Sequence, residues 1–337
     1  MYTLVTGATG FIGKRLVKRL IEEGRKVKCL VRKTSDLSDL NGMNLKIIYG
    51  DLLAPNTYCD ELFDVNVVYH LAANSKPSTN KTLDEYRVNY DGTEFLLQII
   101  YKNASQIKKV IIMSSIAATG PSISGELLNE MSPCFPITMY GKSKVIVEEI
   151  AKKYVEKYSL PIVVLRPPMV YGIGDADWIP FFKMIKSASA TNKKVFLPGN
   201  HLNKIDFCYV DNLIDAMILA EISDKTVGQV YFVSDNKSYK ILEIVNAVCD
   251  AYEIPVPKKY YSKKFCYIIS LVCDLISRIF KKEMPVSLRE FNWMTRDYWV
   301  CDITKFKNDT GYSSKVKLED GIAKTIETLE ESYEDYK

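Results

Sequence analysis

Histidine is nearly absent from this chain: 2 residues in 337. The eight cysteines, at 29, 59, 134, 208, 249, 266, 273 and 301, form no C-x-x-C pair. No zinc or other metal site is therefore expected, and the thiols read as reduced residues of a cytoplasmic protein. No run of five or more basic residues occurs and the net charge is only +4, so nucleic acid is not an expected partner. No uninterrupted apolar run approaches the roughly 20 residues of a membrane span. Met1 leads almost directly into the strand-like YTLVTG, so no signal peptide is expected. Internal repeats, low-complexity tracts and long linkers are also missing. What is present is 47% apolar and 26% charged, the composition of an ordinary globular protein. The length suits one large domain or two smaller ones.

In the first 170 residues, short Val/Ile/Leu-rich runs alternate with amphipathic stretches. Strands are predicted at Tyr2–Thr6, Val27–Arg32, Leu45–Tyr49, Val65–Ala72, Lys109–Ser114 and Ile162–Arg166. They are nearly continuous in hydrophobicity, as in parallel strands buried on both faces. Helices are predicted at Phe11–Glu23, Leu83–Asn103 and Thr138–Tyr158. The alternation predicts an α/β fold, a doubly wound parallel sheet of the Rossmann kind, with ligands at the carboxyl ends of its strands. After Pro167-Pro168 the alternation loosens to one helix and a Pro-Gly turn within 178–204. A return to the sheet is predicted over 205–234, as strand Ile205–Val210, helix Asn212–Ile222 and strand Gln229–Val233. Beyond Ser234 the pattern is mainly helical. The expected division is a nucleotide-binding domain of 1–171 plus 205–234, and a smaller substrate lobe of 172–204 plus 235–337.

Within that lobe, Lys263–Lys282 contains FCYIISLVCDLISRIF with lysines at both ends. Such a segment is a buried or substrate-covering helix, or an amphipathic helix lying on a membrane surface. Asp274 and Arg278 within it argue against a span.

The loop TGATGFIG follows the first strand and opens the first helix. Gly7, Gly10 and Gly13, with Thr9, Phe11 and Ile12 between and beside them, form a variant of the dinucleotide fingerprint. Glycine permits the tight turn and lets backbone amides approach a pyrophosphate at a helix N-terminus. At the end of the second strand, LVRKTS carries Arg32 and Lys33 and no acid before Asp36. NAD-selective sites usually place an acid there, whereas a guanidinium suits a 2′-phosphate. NADP(H) is therefore favoured over NAD(H), the competing reading of Arg32 being a solvated charge or a stack on adenine. In Gly50–Leu52, Asp51 is either an acceptor for the adenine amino group or a turn residue, with Leu52 beside it. HLAA ends the fourth strand with small residues, leaving room for a cofactor across Leu71, Ala72 and Ala73. The fifth strand ends in MSSIAATG, where Ser114 and Ser115 compete to reach a ligand. The sixth ends in LRPPMVYG, a proline-stiffened loop through Pro167 and Val170 that could wall the nicotinamide. Asn89, in EYRVNYDGT, is a poor helix former and reads as a buried polar group bonding backbone near the site.

Tyr140 and Lys144 lie four residues apart in TMYGKSK, one turn apart on one helix face. A phenol normally titrates near ~10; a neighbouring ammonium lowers that value and makes a general acid/base. The chain has 22 tyrosines, so the spacing gains weight only from what precedes it.

TGATGFIG, GDL, HLAA, YRVNYDGT, SSIAATG, YGKSK and LRPPMVYGIGD stand in the order and approximate spacing of the extended short-chain dehydrogenase/reductases (the NAD-dependent epimerase/dehydratase family). The chain resembles that family over residues 2–235. FCYVDNLIDAMILA around Asp211, DITKFKNDTGY and EDGIAKTIE are similar too. The resemblance implies an NAD(P)-dependent oxidoreductase interconverting a secondary alcohol and a ketone. Tyr140 would be the general acid/base. Lys144 would lower its pKa and bind the nicotinamide ribose, and Ser115 would orient the substrate oxygen. Hydride would pass between nicotinamide C4 and the substrate carbon. A homodimer joined by the two long helices of each subunit is implied as well.

VRKTSDLSDL, RPPMVYG and YVDN are similar to the dihydroflavonol reductase and 3β-hydroxysteroid dehydrogenase branch, and the apolar Phe265–Phe280 suits a hydrophobic substrate. The alternative is a nucleotide-sugar epimerase, dehydratase or reductase. Those enzymes typically carry Arg-Asp-Phe where this chain has Ile205-Asp206-Phe207, and often an Asn in the loop that here reads PPMVYG. The usual Tyr before Gly120 is Thr119. A third reading, a dinucleotide-binding regulatory subunit without turnover, is opposed by the intact Ser115, Tyr140 and Lys144.

Overall fold

A computed structural model describes residues 1–75, 82–103, 105–197, 203–280 and 288–334. Its strands are β1 (Tyr2–Thr6), β2 (Val27–Val31), β3 (Leu45–Tyr49), β4 (Val65–His70), β5 (Lys109–Met113), β6 (Ile162–Arg166), β7 (Met169–Tyr171), β8 (Lys204–Tyr209), β9 (Val230–Phe232), β10 (Ser238–Lys240) and β11 (Tyr298–Trp299). Its helices are α1 (Phe11–Glu22), α2 (Arg87–Asn103), α3 (Met139–Tyr158), α4 (Ile179–Thr191), α5 (Val210–Ile222), α6 (Ile241–Ala251), α7 (Lys263–Phe280), α8 (Leu288–Met294), α9 (Thr304–Thr310) and α10 (Leu318–Glu334).

The main sheet runs β3-β2-β1-β4-β5-β6-β9, every pairing parallel. This is the doubly wound order expected from the alternation. Every residue of β2, β5 and β6 is buried. Successive side chains feed opposite layers. Val5, Ile111 and Val163 join the layer holding α1 and α5, while Leu4, Val110 and Ile162 join the layer holding α2 and α3.

Two expectations are corrected. The predicted helix Leu83–Asn103 is a 3₁₀ turn at Leu83–Tyr86 followed by α2, with Thr82 and Glu85 capping the turn reciprocally. The predicted strand Ile205–Val210 does not return to the main sheet. Met169–Tyr171, just past the double proline, turn away as β7 and become the parallel partner of β8, with β10 and β11 completing a second sheet. The free edge of β6 is filled by β9 instead. Beyond Ser234 the structure is mainly helical as expected, with β10 and β11 as short exceptions. The Pro198-Gly199 turn and Lys281-Lys282 lie outside the described residues.

A ladder of ion pairs ties α1 and the turn after it to α5. Arg15 grips Asp211 through Nε at 2.9 Å and Nη2 at 2.7 Å, Arg19 meets Asp215 at 3.0 Å, and Arg25 meets Glu221 at 2.5 Å. Each pair spans 196 residues of sequence.

Candidate active site

The ends of β1, β4, β5 and β6 carry the residues picked out by motif. Gly7 has φ +71, and a Cβ on it would lie 2.7 Å from the Ala72 nitrogen. A Cβ on Gly13 would lie 2.0 Å from the Gly7 carbonyl oxygen. Glycine is therefore required for β1, the loop and the end of β4 to approach one another. Gly10 is the N-cap of α1 and offers no side chain to it. The first amides of the helix, on Phe11, Ile12 and Gly13, are thus free of a side-chain cap. They fit an anionic phosphate at the positive end of the helix. Thr9 is half-buried in the same loop.

Behind the loop, Thr6 Oγ1 pairs with His70 Nδ1 at 2.8 Å and accepts from Ala72 N at 3.2 Å. The other ring nitrogen of His70 pairs with Thr93 at 2.8 Å. Burial, aided by the charge of Lys144, drives the His70 pKa down to about 3, so the ring is neutral and acts as a strut. Leu71 N bonds the Thr6 carbonyl at 3.2 Å, which carries the strand pairing one residue past β4; Ala73 is exposed beyond it. Asn89 is buried. Its Oδ1 accepts from Asn74 N at 2.7 Å, and its Nδ2 donates to Asn74 O at 3.1 Å and Ser143 Oγ at 2.9 Å. Ser143 in turn donates to the Tyr140 carbonyl at 2.7 Å. One side chain on α2 thus fixes the loop after β4 against the first turn of α3.

The two serines at the end of β5 part company. Ser115 hydrogen-bonds the Tyr140 phenol, while its Oγ also accepts from Ala117 N at 3.1 Å. Ser114 donates instead to Glu148 at 2.5 Å, and Glu148 is gripped by Arg166 at 2.8 and 2.5 Å. Ser115 belongs to the phenol and Ser114 to a buried ion pair. α3 starts where it does because Thr138 caps it, Oγ1 accepting from Gly141 N at 2.9 Å. A Cβ on Gly141 would sit 2.2 Å from the Ala117 carbonyl oxygen, so this glycine lets the helix press onto the serine-bearing turn.

The expectation that Lys144 lowers the Tyr140 pKa is corrected by the geometry. Burial pushes the phenol up to about 12, opposed by the bond from Ser115. Lys144 Nζ donates to the Met113 carbonyl at 2.6 Å and stands 5.7 Å from the phenol ring centroid. Burial brings its own pKa down to about 8, against the pull of Glu148.

The remaining candidates are spread around this centre. Arg32 is exposed at the end of β2, where its backbone N–H bonds Ser35 Oγ at 3.2 Å. Asp51 acts as a turn residue, its Oδ1 accepting from Leu53 N at 2.9 Å. Leu52 is buried beneath Gly92 of α2. The Pro167 carbonyl accepts from Ile116 N at 2.9 Å, and Val170 is half-buried in β7. Ile205, at the place of the usual arginine, is buried in β8 and faces Tyr239 and Trp299 across the second sheet.

Sequence reasoning missed the strut role of His70, the Met113 carbonyl, and Tyr86, a buried ring 6.3 Å from Tyr140. It also missed Glu148, although its place one turn past Lys144 was a usable signal. Among the described residues there is no His/Cys/Asp/Glu group able to hold a metal ion.

The chain is 26% identical to a 2-alkyl-3-oxoalkanoate reductase of Shewanella oneidensis, over 97% of this chain and 86% of that one. It is 24% identical to the decarboxylating sterol-4-alpha-carboxylate 3-dehydrogenase of Mus musculus, over 96% and 90%. Its fold is that of UDP-glucuronic acid 4-epimerase from Bacillus cereus, with a TM-score of 0.77 and 24% identity over 99% and 100% of the two chains. The model of the NAD dependent epimerase/dehydratase family matches residues 3–233, spanning the glycine loop, the Ser115–Tyr140 pair and β9, and the chain belongs to that family of nicotinamide-dependent enzymes.

Proposed function

We propose that this enzyme interconverts a ketone and a secondary alcohol on a hydrophobic substrate, using NADP(H) in preference to NAD(H). The observation that carries this reading is the Ser115–Tyr140 hydrogen bond at the strand ends beside an uncapped, glycine-lined helix N-terminus. A nicotinamide dinucleotide, when bound, supplies or takes up the hydride. The amides of Phe11, Ile12 and Gly13 hold its phosphates, and Arg32 takes the 2′-phosphate. Asp51 and Leu52 flank the adenine. Leu71, Ala72, Ala73, Pro167 and Val170 wall the rest.

Tyr140 moves the proton. A phenol pushed up to about 12 is neutral at pH 7 and is a proton donor, which suits reduction of a carbonyl. Ser115 shares that oxygen and positions the substrate. Lys144, carried by the same helix, places positive charge near the phenolate that forms when the proton leaves. It acts in the transition state more than in the resting protein.

The substrate class is drawn from what the two relatives' names share: a reacting carbon at position 3 next to a carboxylate-bearing carbon, on an apolar body. Ile205 in place of a phosphate-binding arginine agrees with an apolar substrate. The second reading, a nucleotide-sugar epimerase or dehydratase, is favoured by the likeness of fold to the UDP-glucuronic acid 4-epimerase. A homodimer joined through α2 and α3, and a reducing cytoplasmic setting for the eight free cysteines, belong to the same proposal. The test is a panel of NADPH and NADH oxidation assays over 3-oxo acids with long 2-alkyl chains, sterol and flavonoid ketones, and nucleotide sugars. Oxidation with the first two groups is expected. Conversion of a nucleotide sugar without net cofactor consumption would overturn the main reading.

A further inference from the structure

Helix α7 is folded inside out. A helix on a globular protein turns its apolar stripe to the core and its polar face to water. Here the buried face carries Cys266, Ser270, Asp274 and Ser277. The outward face carries Phe265, Ile268, Leu271, Val272, Leu275 and Ile279, each 40–63% exposed. The exposed positions 265, 268, 272, 275 and 279 alternate by three and four, so they form one continuous stripe. From 265 to 279 the stripe runs roughly 21 Å along the axis of the 18-residue helix.

The rim of the stripe is basic. Lys263 and Lys264 are exposed at the start of α7. The segment before it pairs with the end of the α4 loop: Val195 N bonds Lys259 O at 2.9 Å, and Tyr261 N bonds Val195 O at 3.1 Å. Lys194 Nζ lies 5.6 Å from the Tyr261 ring, which stacks on Phe265 at 4.7 Å. Exposed Lys193, Lys194, Lys258 and Lys259 are thereby gathered at the same end as Lys263 and Lys264. The sole acid of α7, Asp274, is buried. After Phe280 the sequence continues Lys281-Lys282.

We propose that α7 docks the enzyme on the surface of an anionic phospholipid bilayer, its axis in the plane of the interface. The apolar stripe enters the boundary between headgroups and acyl chains, and the lysines meet the headgroup phosphates and carboxylates. No described helix is long and apolar enough to cross a membrane, so the contact is peripheral. A second copy of the chain suits the stripe less well. A parallel pair would set the six lysines against six, whereas an anionic surface complements all of them at once.

Docking does not depend on which substrate is turned over, so it is tested without activity. The probe is sedimentation of the purified full-length protein with vesicles of phosphatidylcholine alone and of phosphatidylcholine with phosphatidylserine. The wild type is expected to sediment with the mixed vesicles and weakly with the neutral ones. Ile268→Glu with Leu275→Glu should weaken the mixed-vesicle binding by roughly tenfold or more. Lys263→Glu with Lys264→Glu should weaken it by roughly fivefold or more for each lysine lost and leave neutral-vesicle binding nearly unchanged. NADPH titration of each variant, unchanged from wild type, shows that the fold is intact. Wild-type protein that stays in the supernatant with both vesicles overturns the proposal. So does a dimer that splits into monomers in the Ile268→Glu, Leu275→Glu variant by light scattering, since a second copy would then own the stripe.

Discussion

The two ends of the site are built from different materials. The glycine-loop end, the proposed nucleotide site, is made of backbone and of missing side chains: Gly7 and Gly13 leave no room for a Cβ, and Gly10 gives the first turn of α1 no side-chain cap. The chemical end is made of side chains held by other side chains and by carbonyls: Ser115 on Tyr140, Lys144 on Met113 O, Asn89 on Asn74 and Ser143. On the proposed function, the first would receive a ligand by leaving space and the second by filling it. A change at the nucleotide end should therefore act on binding and stability, and a change at the chemical end on turnover.

The sharpest way to break this division is Tyr140→Phe. Turnover should fall by roughly 10³-fold, about 4 kcal/mol in the barrier, with NADPH affinity within twofold of wild type in a fluorescence titration. Loss of NADPH affinity would join the two ends into one. The counterpart is Gly13→Ala, whose methyl meets the Gly7 carbonyl at 2.0 Å. NADPH binding should weaken by roughly 100-fold, and overpacking should cost about 1–3 kcal/mol in a urea titration. Arg32→Asp should weaken NADPH binding by roughly 10–100-fold through the loss of a charged hydrogen-bonding group, and leave NADH binding near its starting value. Asn89→Ala sits between the ends and deletes three hydrogen bonds. It should lower kcat by about tenfold and stability by about 1–3 kcal/mol, with the KM for cofactor little changed.

The smallest effect is that of pH. The Lys144 pKa is lowered to about 8, so its charge is lost as pH rises through that value. The kcat for reduction should fall to about half near pH 8, and Lys144→Met should lack this limb of the profile. The sign for stability is opposite. The folded protein gives up this proton at lower pH than the unfolded chain does, so the contribution of Lys144 to stability grows between about 8 and 10.5.

The same division explains what could be read in advance. Strand–helix alternation is a property of local hydrophobicity, and the seven-stranded sheet follows from it with ends shifted by a residue or two. The glycine loop was legible because steric need restricts the residue type at Gly7 and Gly13, six residues apart. The nearness of Ser115, Tyr140 and Lys144 to one another was legible through spacing and family resemblance. The choice between Ser114 and Ser115 was not, because adjacent residues differ only in which way each points. Nor was the strut formed by His70, Thr6 and Thr93, whose members lie up to 87 residues apart in the chain and meet only where α2 packs on β1 and β4. β8 was misplaced because a strand's hydrophobic pattern does not say which edge will accept it. The exposed stripe of α7 was visible as an apolar helix, but its outward orientation exists only in the packed molecule.

The ladder between α1 and α5 has a consequence for how the protein is made. Each pair is partly exposed and is worth about 0–1 kcal/mol, so the ladder sets the alignment of two helices more than it adds strength. The three arginines leave the ribosome 196 residues before their carboxylates, a delay of roughly 10–40 s at bacterial-to-eukaryotic synthesis speeds. Through that interval the glycine loop exists without the helix that aligns α1, and β6 without β9 at its edge. The segment that reads as an N-terminal domain in the gene is completed by a later one, and a fragment cut between them would display Arg15 without its carboxylate, Arg19 and Arg25 with Glu23 alone to share, and an open strand.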